Sequence, residues 1–126
     1  MIVATYALIL FVAALHAWFL VLEMFFWTTP HTRKAFGTSE EFAKATEVMA
    51  ANQGLYNGFL AAGLLWGLFY FGPGTGAGRA VLSFFLSCVI VAGIYGAKTV
   101  HWRVFLVQAF PGALALMALW SAYPGI

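Results

Sequence analysis

The sequence is poor in charge. Its 126 residues include six Lys or Arg and four acidic residues, so 8% of the chain is charged whereas 63% is hydrophobic. Soluble proteins contain roughly 25% charged and 45–50% apolar residues. This composition excludes an ordinary soluble domain and predicts an integral membrane protein whose main partner is the lipid bilayer. The net charge of +2 supplies no clustered basic face, so no nucleic-acid partner is expected.

Cysteine and cofactor signals are also scarce. The one cysteine, Cys88, excludes an intrachain disulfide and a cysteine-based metal cluster. No dinucleotide fingerprint of the G-x-G-x-x-G type is present, and no cofactor is expected. The first apolar run has no Lys or Arg before it and is too long for the hydrophobic part of a signal peptide. We therefore expect it to be retained as a membrane span.

Four apolar segments are long enough to cross a bilayer, which takes about 20 helical residues. They cover about residues 2–27, 48–71, 80–97 and 104–120. No soluble domain is left over, so residues 1–126 are predicted to form a single all-α transmembrane domain, a four-helix bundle. The first connection is polar, and we expect a helix there that begins near Ser39 and continues into the second span without a break.

Glycine is frequent in the predicted spans. Gly54 with Gly58, and Gly63 with Gly67, have the small-xxx-small spacing that lets membrane helices approach closely. We expect these glycine-rich faces to support a homo-oligomer.

The basic residues predict an orientation. The first connection, residues 28–47, and the short hinge at 98–103 carry five Lys or Arg, whereas the second connection carries only Arg79. Because cytoplasmic loops of membrane proteins are enriched in Lys and Arg, these two connections should be cytoplasmic. The protein is then a multi-pass protein of the bacterial inner (plasma) membrane with both termini on the outer side.

Polar side chains interrupt all four spans. Counted at about 1.5 Å of helix rise per residue, they lie in the cytoplasmic half of the membrane, with His16 near the midplane. The sequence thus predicts a polar pocket that opens toward the cytoplasm and binds a small molecule or ion. Its candidate ligand-binding residues are Glu23, His16, Asn52, Gln53, Tyr56, Asn57, Tyr95 and Gln108.

Glu23 carries the strongest functional signal, because a carboxylate inside a span is expensive and is a functional hypothesis by default. Its structural alternatives are pairing with Lys98 or His101, or hydrogen bonding to Asn52 or Gln53. A metal site is not expected, because His16 and Glu23 are seven residues apart whereas helical metal ligands are usually three or four apart.

Three functional interpretations stay open. The leading one is binding, with transport as its extension, of a small molecule or ion anchored by Glu23. The second is an intramembrane enzyme in which Glu23 and His16 are the catalytic candidates for proton transfer on a lipid-like substrate. The third is a structural membrane subunit whose polar side chains only fix the helix register. The outer half of the spans has almost no polar groups, which disfavours transport.

Two stretches resemble a known family. They run from Leu22 to Pro30 (LEMFFWTTP) and from Ala50 to Gly63 (AANQGLYNGFLAAG). The likeness extends to the segment VAGIYGA, which ends at Ala97, and to Gln108, which lies near Pro111. The sequence resembles the DUF1304 family of small bacterial membrane proteins. The resemblance implies four spans and an unknown function. Family members are sometimes labelled "epimerase", and no functional residue is carried over.

Overall fold

The computed structural model of the protein describes Met1–Gly125, and these residues form helices and turns without a strand. The prediction of an all-α protein is confirmed. Four helices are α1 (Ile2–Phe25), α4 (Glu47–Trp66), α5 (Gly76–Thr99) and α6 (Phe110–Ala122). The first connection contains α2 (Pro30–Phe36) and α3 (Glu40–Ala45). Two π-helical segments extend α4 over Gly67–Phe71 and lead into α6 over Phe105–Ala109.

Four helical stretches are long and apolar enough to cross a membrane: Ile2–Phe25, Glu47–Phe71, Gly76–Thr99 and Phe105–Ala122. The chain is a multi-pass membrane protein. The third stretch begins before residue 80, where the sequence predicted its start, because the Thr75 hydroxyl caps α5 and accepts from the backbone N–H of Gly78 at 2.9 Å. The preceding turn reverses the chain at Gly72, whose φ of 79° suits a residue without a side chain.

The helix predicted to run from Ser39 into the second span is interrupted at one residue. Ser39 does begin α3, because its hydroxyl accepts from the backbone N–H of Phe42 at 3.1 Å. Thr46 then separates α3 from α4 with φ −108° and ψ 7°. Its hydroxyl donates to the Phe42 carbonyl at 2.7 Å and accepts from the indole N–H of Trp27 at 3.1 Å. The prediction of an unbroken helix is therefore wrong at this residue. The contact with Trp27 lies at the break, and the hydropathy of the sequence gives no sign of it.

The chain divides into two compact units. The first comprises residues 1–14 and 60–125 and contains parts of all four long helices. Together they enclose one hydrophobic core, as in a four-helix bundle, and the predicted membrane helical bundle is confirmed. The core residues are Ile9, Val12, Ala13, Leu64, Leu68, Leu82, Leu86, Val89, Ala115 and Leu119.

Glycines in this unit lie where helices touch. A Cβ added at Gly63 would collide with the ring of Phe85 on α5, and one added at Gly93 would lie 2.7 Å from Cβ of Ala109. These glycine faces therefore pack within the chain. A homo-oligomer formed through them would need the same surface twice, so the predicted homo-oligomer remains a prediction and must rest on other surfaces.

The second unit comprises Leu15–Phe59. It holds the end of α1, the helices α2 and α3 and the first half of α4. Thr29 caps α2, and Gly37 ends it with φ 68°, in the left-handed region that favours glycine. The Trp27 ring meets the Phe36 ring edge-on at 5.0 Å, and the same indole bonds to Thr46. The connection is therefore held against the start of α4 by Trp27.

Candidate functional site

Glu23 and Asn57 form the polar contact between the two long helices of the second unit. Asn57 Nδ2 on α4 donates to both carboxylate oxygens of Glu23 on α1, each at 3.3 Å. Both side chains are half-buried. The contact gives the carboxylate a neutral hydrogen-bond donor and no opposite charge. The ion pair described in this unit joins Lys44 to Glu40 at 3.1 Å and does not involve Glu23.

Gly54 and Gly58 bring α4 close to α1 beside this contact. A Cβ added at Gly54 would lie 2.7 Å from Cγ of Met24, 3.0 Å from Cβ of Glu23 and 3.1 Å from the backbone oxygen of Leu20. A Cβ added at Gly58 would collide with the end of the Leu20 side chain. Asn57 lies three residues after Gly54, so it shares this helix face. The close approach of the helices is what lets a short Asn side chain reach Glu23.

The other predicted ligands on α4 lie elsewhere on that helix. Asn52 and Gln53 are exposed, and Tyr56 is 57% exposed with its ring edge-on to Phe59 at 5.7 Å. Among the amides of α4, the structure brings Asn57 to Glu23, rather than the Asn52 or Gln53 named as structural partners from the sequence. Their exposure puts polar groups on a surface of a membrane-spanning helix, where hydrocarbon offers them no hydrogen bonds.

His16 is completely buried in α1, with its ring edge-on to Phe19 at 5.6 Å. It lies two helical turns before Glu23, and seven residues correspond to about 10 Å along the helix axis. This separation exceeds hydrogen-bond reach, so a proton cannot pass directly between the two side chains. An intermediate group would have to carry it.

Tyr95 and Gln108 belong to the first unit. Tyr95 is 69% exposed on α5. Gln108 is half-buried in the π-helical segment Phe105–Ala109, which precedes Pro111. Proline has no N–H for the usual helical bond and is the physical reason for an irregular helix here. Isolated π turns of this kind are frequent at functional sites.

No metal-binding cluster accompanies Glu23 in the part of the chain that the structure describes. Among residues 1–125, no group of three His, Cys, Asp or Glu side chains is placed to hold a metal ion. Two surface grooves lie elsewhere. One is lined by Ser39, Glu40, Glu41 and Lys44, and the other by Gly76, Arg79, Ala80, Ser83 and Trp120.

Sequence reasoning missed the role of Arg79, which it used only to count loop charges. Arg79 is buried in the first turn of α5 and contacts the end of the chain. The sequence signal was present, because a cation within four residues of a span start, in a region without acids, is unusual.

The comparisons with known proteins agree with the sequence resemblance. The family model DUF1304, described as a protein of unknown function, matches residues 10–120. The chain is similar to the uncharacterized protein YpaA of Lactococcus lactis subsp. lactis (strain IL1403). The two are 29% identical over 125 residues, which cover 98% of this chain and 99% of YpaA. No solved structure matches the chain.

Proposed function

Since the chain belongs to the DUF1304 family, whose function is unknown, we propose a function from its own residues. The protein binds a small molecule or ion, and Glu23 is the anchor of that site. The observation that carries the proposal is the contact of Glu23 with Asn57. A carboxylate within a membrane-spanning helix has a neutral amide as its partner and remains half-exposed.

The chemistry of this contact favours a ligand that is positively charged or rich in hydrogen-bond donors. An ionised carboxylate has about four acceptor positions, and one amide group occupies a part of them. A charge in a span is stable only if it is paired or solvated. A cation or a donor-rich molecule supplies the missing interactions without requiring a second charged side chain.

The remaining predicted site residues complete this proposal as orienting groups. Asn52, Gln53 and Tyr56 present donors and acceptors on exposed faces of α4, between one and five residues before Asn57. The buried His16, in the same unit, is proposed to contribute a further polar contact, and the predicted roles of Tyr95 and Gln108 in the first unit stay predictions. The exposure of Asn52, Gln53 and Tyr56 on a membrane helix supports a role in contact with a ligand, water or a second copy, because lipid chains cannot satisfy their polar groups.

The test uses Glu23→Gln, which keeps the shape of the side chain and removes its charge. Purified protein in detergent is titrated with Na⁺, Mg²⁺ and ethylammonium, and the midpoint of thermal unfolding is followed. At least one of these cations should raise the midpoint of the wild type but not of Glu23→Gln. Glu41→Gln, which changes an exposed acid of α3, is the matched control and should respond as the wild type does. If Glu23→Gln is stabilised as much as the wild type, the anchor role of Glu23 is wrong.

A structural membrane subunit is the second candidate, and one observation favours it. Asn57 and Gly54 hold α1 and α4 together at Glu23, as side chains that only fix helix register would. If the protein is only a structural subunit, no cation raises the unfolding midpoint of the wild type, and native mass spectrometry of the purified protein finds no co-purified ligand. Binding at Glu23 instead predicts a bound mass that Glu23→Gln loses.

We further propose that the protein lies in the plasma membrane with both termini outside and residues 28–47 in the cytoplasm. The support is the excess of Lys and Arg in the first and third connections. Alkaline phosphatase fused after residue 74 should be active, and after residue 37 inactive, because that enzyme needs the outer side. The opposite pattern would reverse the orientation.

We also propose that the protein forms a homo-oligomer. Light scattering of the purified protein measures the number of copies.

A further inference from the structure

Arg79 is a buried cation in a unit that has no acidic side chain. It lies in the first turn of α5, and 3% of its surface is exposed. The first unit contains neither Asp nor Glu in residues 1–14 or 60–125. The acids of the chain belong to the second unit, and they are Glu23, Glu40, Glu41 and Glu47. Within its own unit, the charge of Arg79 therefore has no carboxylate side chain to neutralise it.

The described partners of Arg79 are neutral. Its Nη1 donates to the backbone oxygen of Tyr123, and its Nη2 donates to that of Gly125 at 3.4 Å. The guanidinium carbon lies 5.6 Å from the ring centre of Trp120, in a cation–π arrangement. These contacts use two of the five N–H donors of a guanidinium. Buried arginine is normally paired with an anion. Among residues 1–125 the partners of Arg79 are neutral, and they leave the remaining donors and the positive charge for an anion.

A groove opens beside this side chain. It has a volume of about 330 Å³ and is lined by Gly76, Arg79, Ala80, Ser83 and Trp120. The Trp120 indole N–H donates to the Ser83 hydroxyl oxygen at 3.0 Å, which fixes the indole at the groove and leaves the hydroxyl hydrogen free to rotate. Arg79 and Ser83 are four residues apart, so they face the same side of α5. The groove thus presents two donors side by side.

The position of the groove along the spans decides which anion it meets. Arg79 lies at the beginning of the span Gly76–Thr99, and Trp120 lies near the end of the span Phe105–Ala122. Trp and basic side chains at span ends lie at the depth of lipid headgroups. Phosphate is the anion of that layer, and a guanidinium matches its oxygens with two parallel hydrogen bonds. Basic grooves between membrane helices bind lipid phosphates elsewhere by the same chemistry.

We propose that the groove beside Arg79 binds a phosphate group at the membrane surface. Arg79 supplies the charge and the forked donors, and the Ser83 hydroxyl supplies a further donor. Trp120 closes one side of the groove and holds both groups in place. This site is separate in sequence and in unit from Glu23, and it stands whether or not Glu23 binds a cation.

The first test compares three additives on the purified wild-type protein in detergent. They are phosphatidylglycerol, a diacylglycerol with the same acyl chains, and inorganic phosphate. The midpoint of thermal unfolding should rise with phosphatidylglycerol and not with diacylglycerol, because only the former carries a phosphate. If inorganic phosphate is the only additive that raises the midpoint, and it does so by a similar amount, the site is supported and its ligand is soluble phosphate. Equal responses to phosphatidylglycerol and diacylglycerol, with none to inorganic phosphate, overturn the proposal.

The second test compares a variant that keeps the contacts of Arg79 with Tyr123 and Gly125, Ser83→Ala, with one that replaces the guanidinium, Arg79→Lys. Ser83→Ala removes one phosphate donor, and its affinity for the stabilising additive should fall about fivefold. Arg79→Lys keeps the charge but loses the forked geometry, and its affinity should fall about tenfold. Ser87→Ala, on an exposed position of α5 one turn further on, is the matched control and should bind as the wild type does. If Ser83→Ala and folded Arg79→Lys both keep wild-type affinity, Arg79 serves only to hold Tyr123 and Gly125.

Discussion

The side-chain nitrogen Nδ2 of Asn57 donates hydrogen bonds to both carboxylate oxygens of Glu23, each at 3.3 Å. The distances are long for a hydrogen bond to a charged acceptor, which is usually 2.7–2.9 Å. The amide therefore orients Glu23 without saturating it. Both residues lie on membrane-spanning helices. The register of α1 against α4 therefore depends on a hydrogen bond to a carboxylate inside the span.

Asn57→Ala removes the amide and leaves the Glu23 carboxylate half-buried without this donor. We expect a loss of about 1–2 kcal/mol in the free energy of unfolding, because polar contacts between membrane helices contribute up to roughly 1.7 kcal/mol and a stranded carboxylate adds a penalty. Equilibrium unfolding in mixed micelles with increasing SDS measures the loss.

Asn52→Ala is the matched control, since it removes an identical side chain from an exposed position of the same helix. Its effect should stay below about 0.5 kcal/mol. Combining Asn57→Ala with Glu23→Gln in a double-mutant cycle isolates the pair. A coupling energy near zero would mean that the two side chains do not stabilise each other.

Gly54→Ala tests the close approach of α4 to α1. The added Cβ would lie 3.1 Å from the backbone oxygen of Leu20 and 3.0 Å from Cβ of Glu23, and neither atom can move without moving α1. Overpacking of this kind costs about 1–3 kcal/mol. Thermal unfolding of the purified variant should report the loss as a lower midpoint.

Gly58→Ala provides the comparison on the same helix face. Its Cβ would meet the tip of the Leu20 side chain, which can rotate away, and alanine gains about 1 kcal/mol over glycine in helix propensity. Its destabilisation should therefore be smaller than that of Gly54→Ala. The reverse order would show that the backbone oxygen of Leu20 is not the limiting contact.

Most of the fold could be predicted from the sequence. A backbone inside hydrocarbon must satisfy its own hydrogen bonds, so an apolar run of about 20 residues implies a helix. The start of α5 was predicted too late because the Thr75 cap, which lies outside the apolar run, decides where the helix begins. The break at Thr46 could not be predicted, because it accompanies a hydrogen bond to Trp27, 19 residues away in sequence.

The candidate site was predicted only in part. Glu23 stood out because a charge in a span is rare, but its partner depends on how α4 is rotated about its own axis. The glycine spacing held the missing information, since Gly54 and Gly58 mark the face that touches α1 and Asn57 lies between them. Asn52 and Gln53 lie off that face and are exposed. Amide content alone did not distinguish these positions.

Lys44→Gln tests the electrostatics of the polar connection. The hydrogen bond and the charge of Lys44, with a smaller influence from Arg33, lower the pKa of Glu40 below its ordinary value. A lowered pKa stabilises the folded state above the ordinary pKa, and this contribution is lost as pH falls through the folded pKa. Lys44→Gln should raise the pKa of Glu40 toward its ordinary value, as followed by NMR titration of the side-chain carboxyl carbon.

Lys34→Gln is the control for Lys44→Gln. It removes one positive charge from the same connection without removing the hydrogen bond to Glu40. The pKa of Glu40 should move less than in Lys44→Gln. Equal shifts in the two variants would mean that net charge rather than the Lys44 contact governs Glu40. Because Glu40 is exposed, added salt should also shrink the difference.

Trp27→Phe tests whether the break at Thr46 depends on a single hydrogen bond. The phenyl ring can keep the edge contact with Phe36 but cannot donate to the Thr46 hydroxyl. Losing a bond of about 1 kcal/mol should speed amide hydrogen exchange in α3 about fivefold. Trp18→Phe, at an exposed position of α1, is the matched control and should leave this exchange unchanged. Unchanged exchange in Trp27→Phe would mean that the Phe42 carbonyl bond alone holds Thr46, because that contact is local to α3 and survives the substitution.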